Sequence, residues 1–135
     1  MQRFLICQCS INLSIPDIFI KNDRYKLGDF GLAKSLANPQ NVEEGDQRYM
    51  AKELLDHCDD LSKADIFSLG LTVYSLLSGV ELPRDGPLWH DLRSGRVPEP
   101  LECLQDVVVG SMMEPDYQKR PSATELLRMD TFEAT

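Results

Sequence analysis

A mainly helical fold with one small β-hairpin is predicted by three features of the sequence. An uncharged, largely apolar run from Ile66 to Val80 follows Ser62-Lys63-Ala64-Asp65, a serine with an acid three residues on. Ser122 with Glu125 repeats that spacing ahead of a second helical stretch; a hydroxyl followed three residues later by a carboxylate is the signature of a helix start. Upstream of both, Ile18-Phe19-Ile20 and Arg24-Tyr25-Lys26-Leu27 flank the turn-forming Lys21-Asn22-Asp23, which reads as a hairpin.

Taken in order, residues 1–16 have no clear period, although Ile11, Leu13 and Ile15 alternate with polar residues. After the hairpin, Gly28 and Gly31 bracket Asp29-Phe30, and residues 32–50 form a polar loop containing Pro39 and the acidic step Glu43-Glu44-Gly45-Asp46. Its length between short structured elements marks it as a functional loop rather than a linker. Residues 51–57 predict a short helix. The helix opened by Ser62 runs to about Gly79, with Ile66, Leu69, Val73 and Leu76 on one face and Phe67, Leu71 and Tyr74 elsewhere. A helix apolar on most sides belongs at the centre of its domain. Pro83 to Pro87 predicts a turn and Leu88 to Ser94 a short amphipathic helix, broken by Pro98 and Pro100. Leu101, Leu104, Val107, Val108 and Met112 then recur at helical spacing, and the last helix runs from Ser122 to Met129.

A chain of 135 residues is the size of one domain with a modest core. With 14 basic and 22 acidic side chains the net charge is −8, which opposes general affinity for nucleic acid or anionic lipid and favours a basic partner surface. Cys7, Cys9, Cys58 and Cys103 lack Cys-x-x-Cys spacing, so zinc is not expected. Reduced thiols in an intracellular setting, nucleus or cytoplasm, are the expectation. The uncharged run ends at Glu81, too short for a bilayer span.

Asp29-Phe30-Gly31 after a strand, a polar loop, and then Ala51-Lys52-Glu53 make an ordered set that resembles the activation segment of a eukaryotic protein kinase. Asp65 with Ser68 and Gly70 resembles the start of that family's central helix, with Phe67 where Trp is usual. Glu53 is similar to the Glu of the family's Ala-Pro-Glu, and Arg120 to the arginine paired with it. Three further stretches, Glu43 to Ala51, Trp89 to Pro98, and Glu114-Pro115-Asp116 with Lys119-Arg120-Pro121-Ser122-Ala123, resemble the Wee/Myt group, kinases that inhibit cyclin-dependent kinases.

The resemblance implies the C-terminal (large) lobe of the kinase fold over residues 17–135, with the hairpin carrying Asp-Phe-Gly, the N-terminal lobe absent and residues 1–16 atypical. It implies ATP and Mg²⁺ as cofactors of the family, with Asp29 and Asp17 as metal ligands, and a cyclin-dependent kinase as substrate or docking partner. It also implies a buried Glu53–Arg120 pair and an Asp65 that accepts from the catalytic-loop backbone, beside the plainer readings of two surface charges and a helix cap. The activation segment would comprise Asp29, Phe30, Gly31, Glu43, Glu44, Asp46 and Arg48. The three carboxylates of its acidic step could order it by pairing with Arg48; a solvated acidic loop is the plainer alternative.

The pattern departs from the family at the catalytic block. Anchored on Ile18-Phe19-Ile20, the catalytic Asp position holds Asn12 and the Lys position Ser14. Asn takes up no proton, and loss of a positioned general base costs about 10² to 10⁴-fold in rate. The chain by itself is therefore expected to be inactive, either as a truncated kinase or as a non-catalytic, pseudokinase-like module that docks a kinase substrate.

Overall fold

The computed structural model describes residues 9–10, 18–28, 34–35, 46–56, 61–101 and 105–129. Two short antiparallel pairs precede the helices. Strand β1 (Cys9–Ser10) pairs with β4 (Lys34–Ser35), and β2 (Ile18–Lys21) with β3 (Arg24–Leu27). The β2–β3 hairpin turns through Asn22 and Asp23, both with positive φ, 54° and 57°. These two residue types tolerate the left-handed region best after glycine, and a two-residue turn of that hand matches the twist of its strands. The β1–β4 pair interrupts the stretch expected to be one continuous loop, and two-residue strands are too short to leave a period in the sequence.

Helix α1 (Leu61–Ser78) is the centre of the molecule. It starts one residue ahead of Ser62, so Ser62 lies inside the first turn and is not the cap predicted for it. Its end is as expected: Gly79 follows at φ 75°, the left-handed conformation in which glycine commonly terminates a helix. Phe67, Leu71 and Tyr74 enter the main core with Tyr49, Leu92, Val109 and Met113, while Ile66 joins a smaller cluster with Val108, Met112 and Leu126. Leu76, expected on the buried face, is 64% exposed and Leu77 is 53% exposed, whereas Tyr74 is 1% exposed, so at this end of the helix the covered face is the one that carries Tyr74.

Around α1 lie a 3₁₀ turn (Lys52–Asp56), α2 (Pro87–Leu92), α3 (Gln105–Met112) and α4 (Ala123–Leu127). The α4 start carries the predicted capping box: Glu125 N donates to Ser122 Oγ and Ser122 N to the Glu125 carboxylate. On α3, Val107 is 77% exposed; Val108 and Val109 are the residues it buries, a shift of face that three consecutive valines leave undetermined.

Close approach of α3 to α1 depends on Gly70. A Cβ there would lie 2.9 Å from Met112 Cβ and 3.3 Å from the Met112 carbonyl carbon. Gly70→Ala is expected to destabilise the protein by about 1–3 kcal/mol, the usual cost of overpacking a close contact. Val107→Lys should stay within about 0.5 kcal/mol of wild type, as exposed substitutions do. Urea titrations of both variants check this, and a neutral Gly70→Ala would mean that the helices separate freely.

Candidate functional site

Just ahead of the 3₁₀ turn, residues 46–51 run from an exposed Gln47 into the core at Tyr49, Met50 and Ala51 without joining any helix or sheet, so their backbone must find partners elsewhere. Asp46 O accepts from Tyr49 N at 3.0 Å, closing a turn, and Ala51 O accepts from Leu54 N at 3.2 Å. The four carbonyls between them are all taken by side chains. Gln47 O accepts from Trp89 Nε1 at 2.9 Å and from an Arg93 terminal nitrogen at 3.2 Å. The same nitrogen is 3.2 Å from Arg48 O, and Arg93 Nε donates to Met50 O at 2.9 Å. Tyr49 O is met from α1: Ser68 Oγ lies 2.7 Å from it and 3.1 Å from Ala64 O, so its single proton serves Tyr49 first.

Arg93 is 2% exposed. Its guanidinium carbon stands 3.8 Å from the centroid of the Trp89 ring, and its remaining terminal nitrogen donates to Trp89 O at 3.1 Å. Burial pushes its pKa down to about 10, and the charge of Glu53 acts in the opposite sense. It therefore remains a cation at neutral pH, held by carbonyl dipoles and an aromatic face rather than by a salt bridge. Sequence reading gave this residue no role. The available signal was Trp89 one helical turn before it, an i, i+4 pair that brings ring and guanidinium together.

The predicted Glu53–Arg120 pair is formed and buried, with Arg120 Nη1 donating to Glu53 Oε1 at 2.5 Å and the residues 7% and 1% exposed. Arg120 also donates to Lys63 O at 2.7 Å and to Glu114 O at 2.8 and 3.1 Å, while Lys63 Nζ donates to Arg120 O. Phe67 lies against both buried arginines, its ring centroid 4.9 Å from the Arg120 guanidinium carbon and 5.6 Å from that of Arg93.

Asp46 and Arg48 are brought together. Arg48 donates to the Asp46 carboxylate through its backbone N at 3.1 Å, Nε at 3.1 Å and a terminal nitrogen at 2.6 Å. The Arg48 hydrogen bonds hold the Asp46 carboxyl below the usual carboxylate range. Asp65 lies in the first half of α1, half-buried. Asn12, Ser14, Asp17, Asp29, Phe30, Gly31, Glu43 and Glu44 lie outside the described residues.

Two outcomes follow from these pairs. Glu53→Gln is expected to destabilise the fold by about 3–5 kcal/mol, because it strands the buried Arg120 charge. Chemical denaturation measures it, and a loss below about 1 kcal/mol would mean that the pair behaves as an exposed one. For Asp46, a folded pKa below the unfolded value means that its contribution is complete above about pH 4 and is lost as acid protonates the folded carboxylate. Trp89, the sole tryptophan, bonds to Gln47 and reads that turn. Its fluorescence should change on acidification below pH 4 in wild type, and a transition of the same size in Asp46→Asn would assign the change to other carboxylates.

The sequence pattern described as the protein kinase domain matches residues 15–132. A Wee1-like protein kinase of Oryza sativa subsp. japonica is 43% identical over 122 residues, 87% of this chain and 24% of the relative. Wee1-like protein kinase 2 of Danio rerio is 46% identical over 112 residues, 80% of this chain and 21% of its own length. The membrane-associated tyrosine- and threonine-specific cdc2-inhibitory kinase of Drosophila melanogaster is 41% identical over 126 residues, 87% and 23% of the two chains. The chain thus spans less than a quarter of the length of each of these relatives. No helix among the described residues is long and apolar enough to cross a membrane. With the domain pattern covering most of its length, and with the buried Glu–Arg pair that the resemblance implied, the chain belongs to the protein kinase family, in its Wee/Myt group.

Proposed function

We propose that this chain is the C-terminal lobe of a Wee/Myt-type kinase whose activity is ATP-dependent phosphorylation of a cyclin-dependent kinase on an inhibitory tyrosine or threonine, restraining entry into mitosis. The observation that carries the reading is the seating of residues 46–51 on α1 and α2, every carbonyl from Asp46 to Ala51 bonded. In a kinase this stretch closes the activation segment, and a fixed backbone there is what positioning a protein substrate requires. An intracellular location, nucleus or cytoplasm, belongs to the same proposal.

For the metal, the donor chemistry of Asp29 and Asp17 suits Mg²⁺, a hard cation that takes carboxylate oxygens. These two residues would hold it, and the ion would neutralise the charge of the nucleotide phosphates. Asn12 and Ser14 supply neither a proton acceptor nor a positive charge, so the chain alone is proposed to be inactive.

One observation favours a second reading, a non-catalytic module that docks a kinase substrate. The segment at 46–51 and α2 are bonded to each other directly, through Trp89 and Arg93. Radiolabelled phosphate transfer to a kinase-dead cyclin-dependent kinase, run beside a pull-down with the same partner, separates the two. Transfer above that of Asp29→Ala would establish the chain as an enzyme. Capture without transfer would favour the docking module; neither capture nor transfer would sink both readings.

A further inference from the structure

We infer that Arg93 is a positioning residue that locks the two substrate-side elements, the segment Gln47–Met50 and helix α2, into one rigid unit. The inference rests on the proposal that these elements face a protein partner, but the lock is visible in the geometry by itself. One guanidinium reaches the carbonyls of Gln47, Arg48 and Met50 while bonded to Trp89 O on its own helix and stacked on the Trp89 ring. Trp89 Nε1 returns a bond to Gln47 O, so segment and helix are joined by both members of the stacked pair.

The chemistry requires arginine. Its planar fork presents five N–H donors in fixed directions, whereas an ammonium is a single point with three. Lysine would keep the positive charge and stem but leave some of these carbonyls without a donor. The position of α2 and the path of Gln47–Met50 are therefore one conformational variable. A partner that shifts α2 shifts the segment with it, and a partner that engages the segment orders α2.

Hydrogen–deuterium exchange on the intact chain tests this, comparing a peptide over residues 46–51 with one over residues 69–76 of α1. In Arg93→Lys, exchange over 46–51 is expected to quicken by about tenfold or more, as when a segment opens locally, with α1 unchanged. Trp89 emission should move to longer wavelength. Trp89→Phe, which keeps a ring under the guanidinium and removes the bond to Gln47, should give a smaller rise over the same residues. Capture of the kinase-dead cyclin-dependent kinase should fall in Arg93→Lys. Unchanged exchange over 46–51, an equal rise in α1, or undiminished capture despite faster exchange would each overturn the assignment. If wild type captures nothing, the proposed function fails and the exchange comparison still decides the lock.

Discussion

The constraint on which the rest of the structure depends is the backbone of residues 47–50, which enters the core at Tyr49 and Met50 and carries four consecutive carbonyls that no helix or sheet ladder serves. An unpaired buried carbonyl costs about 1–3 kcal/mol, so leaving those of Tyr49 and Met50 unsatisfied would consume a sizeable part of a small domain's stability, about 5–15 kcal/mol. The solution comes from side chains of elements distant in sequence: Ser68 on α1, and Trp89 and Arg93 at α2. Those helices are thereby placed relative to the segment by hydrogen bonds with direction, where apolar packing alone would leave them freer to slide.

A second consequence is electrostatic. Two arginines, Arg93 and Arg120, are almost wholly buried, and one carboxylate, Glu53, lies bonded to Arg120 while its charge also bears on Arg93. Arg93 is instead solvated by carbonyl dipoles and by the Trp89 face, with Phe67 touching both guanidinium groups. Buried charge of this kind is weak evidence for net stability, since apolar replacements of equal volume are often neutral or better. Its value lies in definition, because each cation has donors that can be satisfied in only one arrangement of the 3₁₀ turn, α1 and α2.

This frame suits the proposed role. A kinase does little covalent chemistry of its own and works mainly by holding partners in place. The described part of the chain contains the segment and helices that the proposal assigns to holding a partner, whereas Asp29, which matches the family motif, and Asn12 and Ser14, which depart from it, lie outside the described residues. The Asp46–Arg48 pair, about a third exposed, belongs to the rim of the frame and tunes the turn at its entrance.

Much of the fold was legible from the sequence: the hairpin, although Lys21 belongs to its first strand and not to the turn, the central helix ending at Gly79, the capping box at Ser122, and the Glu53–Arg120 pair implied by resemblance. Each of these is written in local spacing or in a motif, where the chemistry lies within a few residues or repeats across a family. The sequence did not yield the exposed end of α1, the face of α3 or the two-residue β1–β4 pair, because burial depends on which neighbours arrive and three adjacent valines or two paired residues have no period. Arg93 was hidden for the same reason. Its partners on the segment lie 43 to 46 positions away, they are backbone carbonyls that every residue possesses, and only the tertiary structure could decide which arginine would be enclosed to meet them.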